Sequence, residues 1–337
     1  MPVHFLKTLL LFSKSDVIPI LGPSLAVAMV LAGPTDIYSF IMGFAWLELH
    51  LLTFEVRSTL DRPLPEPLSD ILTQIKNQIT GLEEDRLSKP DRPIAAGRLT
   101  VFWAQRLYIL VGILSVVWSV YHGLLLCSTI YMIAIVCYNE LQMSRHWFFK
   151  SFLGAIGYAV YCWGTTSIFD HGNALSVTSI VAITCSFLLH VTTGHAQDFR
   201  DLSGDAAIGR VTLPMLLPPA LARWSLSASI ILWTTALAAL WLPPPPVIAL
   251  LAALASVTSM RFVKNIAARD DIHREKLDGK AYWWYNMWLI TAHMLPLFTP
   301  VVDPLALLPP GPLSLQAAKP IWESLFLSPS PSPSSSR

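Results

Sequence analysis

An all-α, polytopic membrane fold of about nine spanning helices is predicted by three features of this 337-residue chain. Hydrophobic side chains make up 53% and charged ones only 13%, against about 25% charged in a typical soluble domain. Apolar stretches near the roughly 20 residues a bilayer crossing requires recur along most of the length. Charges collect in the loops of one side, while the loops of the other side are short and nearly uncharged.

Taken in order, Lys7 and Lys14 flank a short apolar run without a cleavage site, so no removable signal peptide is expected. The first span, about 17–33, ends at Gly33-Pro34-Thr35, and the second, 36–54, carries Glu48 and His50. Span three, 100–120, ends at Tyr121-His122-Gly123, and span four, 124–140, closes on Asn139-Glu140. Span five, 149–169, opens beside Lys150 and stops at Asp170-His171-Gly172. Span six is 174–193 and span seven 224–242, the latter ending in the run Pro243 to Pro246. Span eight, 246–262, is short and begins within that run; span nine is 281–300. All but Lys319 and Arg337 of the 23 Lys and Arg fall on the side of the N-terminus and of the loops after spans two, four, six and eight, which the positive-inside rule makes cytosolic. Residues 1–305 read as one transmembrane domain and 306–337 as a disordered Pro/Ser-rich tail. Between Glu55 and Ile75 three prolines interrupt a helical pattern that would otherwise be continuous, so 56–74 read as an insertion, of which a translated intron is one source.

Two acidic clusters lie on the cytosolic side: Asn77-Gln-Ile-Thr-Gly81-Leu-Glu-Glu84-Asp85, and Gln197-Asp198-Phe-Arg200-Asp201-Leu-Ser-Gly-Asp205. On a helix Asn77, Gly81 and Asp85 fall at i, i+4 and i+8, and Asp198, Asp201 and Asp205 at i, i+3 and i+7, so each set shares a face. Carboxylates held together at a membrane need cations, and hard oxygen donors suit Mg²⁺ bridging to a substrate phosphate. Each cluster is followed by bases: Lys89 and Arg92 before Pro93 and Gly97-Arg98, and Arg210 after Gly209. Such cations bind phosphate oxygens as metals do. The duplicated acid-then-base arrangement points to a membrane enzyme acting on a diphosphate, although a solvated cytosolic loop would also carry such charges.

The remaining polar residues have two readings each. Glu48 lines a cavity or makes a helix-to-helix hydrogen bond. Lys150 snorkels to the interface or reaches the diphosphate. His190 and His195 are packed or catalytic, and the basic 261–280 loop touches lipid headgroups or substrate. Trp46, Tyr158, Tyr161, Trp163, Trp283, Trp284 and Tyr285 either stabilise a carbocation with their ring faces or belong to interfacial and lipid-facing packing. The four cysteines lie in apolar stretches without CxxC spacing, which supports neither a disulfide framework nor a zinc site.

These residues resemble the UbiA superfamily of intramembrane prenyltransferases over about residues 5–300. The likeness is carried by the two motifs four spans apart, the Lys89-Pro-Asp-Arg92-Pro-Ile run and the Gly-Asp205-Ala-Ala-Ile-Gly-Arg-Val-Thr-Leu ending. It implies a UbiA-like nine-helix bundle that binds an isoprenyl diphosphate through Mg²⁺. Transferases of the family carry Asp where this chain has Gly81, and that departure looks like the UbiA-type terpene cyclases of fungi. The resemblance then implies a Mg²⁺ site of Asn77, Glu84, Asp85, Asp198, Asp201 and Asp205, with Asn77, Asp85, Asp201 and Asp205 central to catalysis. Lys89, Arg92, Arg210 and Lys150 would hold the diphosphate. The expected reaction is acceptor-free cyclisation of a prenyl diphosphate in secondary metabolism, with geranylgeranyl diphosphate favoured over farnesyl diphosphate. A prenyltransferase using an aromatic or quinone acceptor is the second reading, and a non-enzymatic transporter or channel the third. The expected partners are the substrate and the lipid bilayer, with no nucleic acid and no obligate protein partner. The expected location is the endoplasmic reticulum, motif loops facing the cytosol.

Overall fold

The structure, a computed structural model, describes residues 8–9, 11–33, 35–58, 92–268 and 270–299. Eleven helices are labelled in chain order. They are α1 Gly22–Ala32, α2 Ile37–Ser58, α3 Val101–Tyr121, α4 Leu125–Ile135, α5 Trp147–Phe169, α6 Val177–Thr193, α7 Leu202–Ala207, α8 Leu213–Leu216, α9 Pro219–Trp241, α10 Pro245–Lys264 and α11 Asp271–His293. Single π-helical turns enter α1 at Val17–Leu21 and extend α4 at Val136–Glu140. Among the described residues, six segments are long and apolar enough to cross a membrane: Ile37–Arg57, Val101–Tyr121, Trp147–Phe169, Val177–Arg200, Pro219–Trp241 and Pro245–Ala267. Val17–Ala32 and Leu125–Glu140 are shorter apolar helices.

Local chemistry sets the helix ends. The Thr100 hydroxyl accepts the Trp103 amide, the Ser176 hydroxyl the Ser179 amide, and the Asp270 carboxylate the His273 amide. Pro219 and Pro245 stand at first helical positions, where no amide donor is needed. The expected ninth span, 281–300, differs most from the structure. Its helix starts ten residues earlier, at Asp271 behind the Asp270 cap, and carries charged turns before the apolar stretch. It gives way after His293 to a 3₁₀ turn, Leu295–Phe298, that contains Pro296.

Large apolar side chains pack in two main groups. Leu226, Ile230, Leu251, Phe262 and Trp288 join α9, α10 and α11 to α6. Trp46, Leu47, Leu51, Tyr131 and Tyr161 join α2, α4 and α5 to the start of α1. Helix α1 packs on both α5 and α11, which links the two halves. At one crossing the backbones approach too closely for a side chain: a Cβ at Gly164 on α5 would sit 2.1 Å from the Trp46 ring. The indole nitrogen there donates to Ser119 Oγ at 2.7 Å. On the outer side of α3, Ile109, Ile113, Val117 and Val120 are exposed. Such an apolar stripe outside and hydroxyl pairs inside are the arrangement of an integral membrane protein.

Candidate active site

The second acidic cluster does not ride on one continuous helix. After Thr193 the chain tightens into 3₁₀ turns at Gly194–Ala196 and Asp198–Arg200, then re-forms as α7. This re-aims the three aspartates, so the common face expected from i, i+3, i+7 spacing holds only in part. Asp198 and Asp205 are buried at 2% and 1% exposure. Asp201 is only partly buried and accepts from Arg200 Nε at 3.3 Å.

Lys150, in the first turn of α5, does not snorkel to the interface. It is buried, with its ammonium 2.7 Å from Asp198 Oδ1 and 2.7 Å from Asp205 Oδ2. The other Asp205 oxygen accepts from Arg210 at 2.8 Å. Lys150 and Arg210 therefore converge on Asp205 through its two different oxygens, and Lys150 also faces Asp198. The turn bearing Arg210 is fixed by a bond from the Val211 amide to the Arg145 carbonyl at 2.9 Å, beside the His146 bridge to Val211.

Phe199, between the two charged positions, is held from behind. Arg223 on α9 donates to both Asp278 oxygens at 2.7 Å and to the Phe262 carbonyl at 3.1 Å. Asn265 donates to the same aspartate at 2.7 Å. The Arg223 guanidinium lies 4.6 Å from the centre of the Phe199 ring. Both charges are buried, a costly arrangement that the matched carboxylate oxygens offset, although Arg223 Nε has no hydrogen-bond partner among the described residues. Sequence reasoning missed this pair. Its only signal was an Arg and an Asp next to predicted spans.

The residues that bear the first cluster's chemistry, Asn77, Gly81, Glu84, Asp85 and Lys89, lie outside the described residues, as do most of 56–74 and all of 306–337. The described part of 56–74 continues α2 to Ser58, with Val56 fully buried. What flanks the cluster is also described. Glu55 near the end of α2 accepts from Arg92 at 2.7 Å, and Arg57 pairs with Glu140 in the π turn after α4. Glu55, buried at 3% exposure, was not singled out from the sequence. Arg92 thus meets a carboxylate on α2 as well as standing at the exit of the first cluster. Beyond it, Pro93 to Arg98 closes with the Gly97 amide on Ile94 O and the Arg98 amide on Pro93 O. The second cluster ends in the same turn, with the Gly209 amide on Ala206 O and the Arg210 amide on Asp205 O. Gly97 and Gly209 both have positive φ, 67° and 69°, the left-handed conformation that such a helix-ending turn demands.

Hard carboxylate oxygens are the right donors for Mg²⁺. Among the described residues, however, no three His, Cys, Asp or Glu side chains converge as a metal site. The second cluster supplies two inward carboxylates already facing cations, which fits one half of a divalent site. Glu48, in contrast, bonds across helices to Ser13, and the His50 ring lies between Trp46 O at 2.8 Å and Ser128 Oγ at 2.6 Å, so both serve packing.

Comparison with known proteins adds four findings. Residues 20–290 match the UbiA prenyltransferase family. The chain is 43% identical over 298 residues to the fumagillin beta-trans-bergamotene synthase of Aspergillus fumigatus, covering 88% of this chain and 94% of that one. It is 33% identical over 146 residues to a diterpene cyclase of Hericium erinaceus, 42% of this chain and 46% of the other. Among solved structures, a UbiA homolog from Archaeoglobus fulgidus bound to GPP and Mg²⁺ superposes with a TM-score of 0.56 at 14% identity, over 86% of this chain and 99% of that one. At that identity the likeness is one of fold.

Proposed function

This chain belongs to the UbiA prenyltransferase family, and from that premise we propose that it is a membrane-embedded terpene cyclase, ionising a prenyl diphosphate and closing the resulting allylic cation on its own double bonds. The observation that carries the ionisation is the convergence of Lys150 and Arg210 on Asp205, with Asp198 beside the same ammonium. An ammonium has three N–H donors; Asp205 takes one, which leaves donor capacity for a phosphate oxygen of the leaving group. Arg210, and by position Lys89 and Arg92, add preorganised positive charge where negative charge develops. Asp198, Asp201 and Asp205, together with Asn77, Glu84 and Asp85, are the residues that would hold Mg²⁺. A divalent ion held there would supply positive charge to the diphosphate leaving group. The catalytic assignment of Asn77, Asp85, Asp201 and Asp205 belongs to the same proposal.

Cyclisation rather than transfer is supported by Gly81 in place of the usual acid and by the 43% identical terpene synthase. Product chain length is the finer question. The relative that matches nearly the whole chain is named for a bergamotene, a C15 hydrocarbon, and the Hericium relative for a diterpene. We place farnesyl diphosphate ahead of geranylgeranyl diphosphate on that ground, reversing the preference drawn from sequence alone. The charge asymmetry supports cytosolic motif loops, and the endoplasmic reticulum is the membrane we propose.

The test is incubation of membranes containing the protein with Mg²⁺ and each diphosphate separately, followed by gas chromatography and mass spectrometry. A cyclic hydrocarbon formed without an added acceptor is the expected result. Product only in the presence of a phenolic acceptor would instead establish a prenyltransferase, the activity for which the family is named.

A further inference from the structure

Helices α5 and α6 run antiparallel, and side chains along α5 meet α6 and the turns after it. Lys150 pairs with Asp198 in the 3₁₀ turn beyond α6. Eight residues further along α5, Tyr158 meets His190 of α6, and their rings stack with centres 3.6 Å apart and planes 21° from parallel. Eight residues of helix place this stacked pair about 12 Å deeper in the bilayer than the carboxylates. A hydrocarbon chain anchored by its diphosphate at Lys150 extends towards the pair.

His190 is 3% exposed, and its hydrogen bonds fix its tautomer. Nδ1 lies 2.7 Å from the Ser186 carbonyl oxygen. A carbonyl only accepts, so Nδ1 carries the proton and Nε2 bears the lone pair. That Nε2 has no hydrogen-bond partner among the described residues. The neighbouring His293 is different: its Nδ1 lies 2.8 Å from the Leu289 carbonyl, and its Nε2 accepts from Ser186 Oγ at 2.8 Å. Among the described residues His50 and His293 thus have both nitrogens matched, whereas His190 and His195 each keep a buried Nε2 without a partner, and of these two it is His190 whose ring lies against a tyrosine face. An unmatched buried acceptor costs about 1–3 kcal/mol, a cost with no structural return at this position.

We propose that His190 Nε2 is the base that terminates cyclisation, a reading that rests on the cyclase assignment above. The cation, drawn against the Tyr158 ring, loses a proton from the carbon next to its charged centre. That C–H bond breaks, its electron pair becomes the new C=C bond, and the proton passes to Nε2. The imidazolium then gives the proton to the departing diphosphate or to water as product leaves, restoring the neutral ring. A carbocation is so strong an acid that the base need not be a strong one; it must be near and dry. Nδ1–H remains bonded to Ser186 throughout and keeps the ring aimed.

The experiment compares wild type with His190→Phe, which keeps an aromatic ring against Tyr158 and removes the lone pair. Diphosphate release and hydrocarbon are measured in the same reaction with Mg²⁺ and farnesyl diphosphate, and again with geranylgeranyl diphosphate. Diphosphate release within about threefold of wild type is expected, while the wild-type hydrocarbon per diphosphate released falls about a hundredfold. Alcohols from water capture, or isomers from loss of a different proton, take its place. An unchanged product at an unchanged ratio overturns the proposal. Should His190→Phe release no diphosphate, His190→Gln, whose amide oxygen is a weak acceptor in the same region, is read by the same ratio. If wild type itself makes no hydrocarbon without an acceptor, the cyclase reading fails, and that outcome is distinct from a variant-specific change of product.

Discussion

Replacing Lys150 with Met tests whether the carboxylates of the second cluster form a site for positive charge. The substitution keeps chain length and removes the ammonium 2.7 Å from both Asp198 and Asp205. At an effective dielectric of about 20, each of those contacts is worth about 6 kcal/mol of Coulomb attraction, from which the desolvation of three buried ions subtracts several kcal/mol apiece. Asp205 retains Arg210 at 2.8 Å, whereas Asp198 loses the ammonium it faces. The net destabilisation expected from stranding a buried carboxylate is about 3–5 kcal/mol, or a melting point lowered by about 4–7 °C in a chain of this size. Thermal unfolding of the detergent-solubilised protein, followed by tryptophan fluorescence, measures it with and without Mg²⁺. Because a divalent cation supplies the charge the variant lacks, saturating Mg²⁺ should raise the melting point of Lys150→Met by several degrees more than that of wild type. Equal Mg²⁺ shifts in the two proteins, or a metal-free variant melting within about 1 °C of wild type, would refute the reasoning. Loss of one charge-assisted contact to the leaving group should also lower kcat/KM about tenfold to a hundredfold.

Other expected outcomes follow from the same geometry. Asp85→Ala, and separately Asp201→Ala, should abolish diphosphate release while the protein still inserts into membranes; wild-type turnover in either removes that residue from the site. Gly81→Asp should restore an acid at the transferase position and admit product formation with a phenolic acceptor, and an unchanged product profile would show that Gly81 does not set the reaction. Arg223→Met should cost about 3–5 kcal/mol by leaving Asp278 buried without its guanidinium, and the double change Arg223→Met with Asp278→Leu should recover most of it; melting curves in which the double variant is no better than the single contradict the pairing. Chelation with EDTA should stop diphosphate release, with activity returning on addition of Mg²⁺.

The helical architecture was legible because span length and charge placement are properties of consecutive residues. Apolar runs marked where α2, α3, α5, α9 and α10 lie to within a few residues, and Asp198, Asp205 and Arg210 stood out by spacing alone. What consecutive residues do not encode is which distant side chains meet. Lys150 had two readings until α5 and the turn after α6 were brought together in space. Glu55 with Arg92, and Arg223 with Asp278, join residues 37 and 55 positions apart, and neither member of a pair signals its partner. The break of the second cluster into 3₁₀ turns escaped the periodicity because i, i+3, i+7 spacing suits a continuous helix equally well.

The pairing of Glu55 with Arg92 has a consequence for how this gene tolerates change. One residue lies near the end of α2 and the other at the start of the stretch that leads into α3, so the pair ties together the two positions that flank residues 59–91. Doubling the length of any closed loop adds only about 0.6 kcal/mol of closure entropy, a sum a single buried methylene can offset. A change in length beyond Ser58 should therefore cost the fold little. Length variation across a lineage should concentrate there.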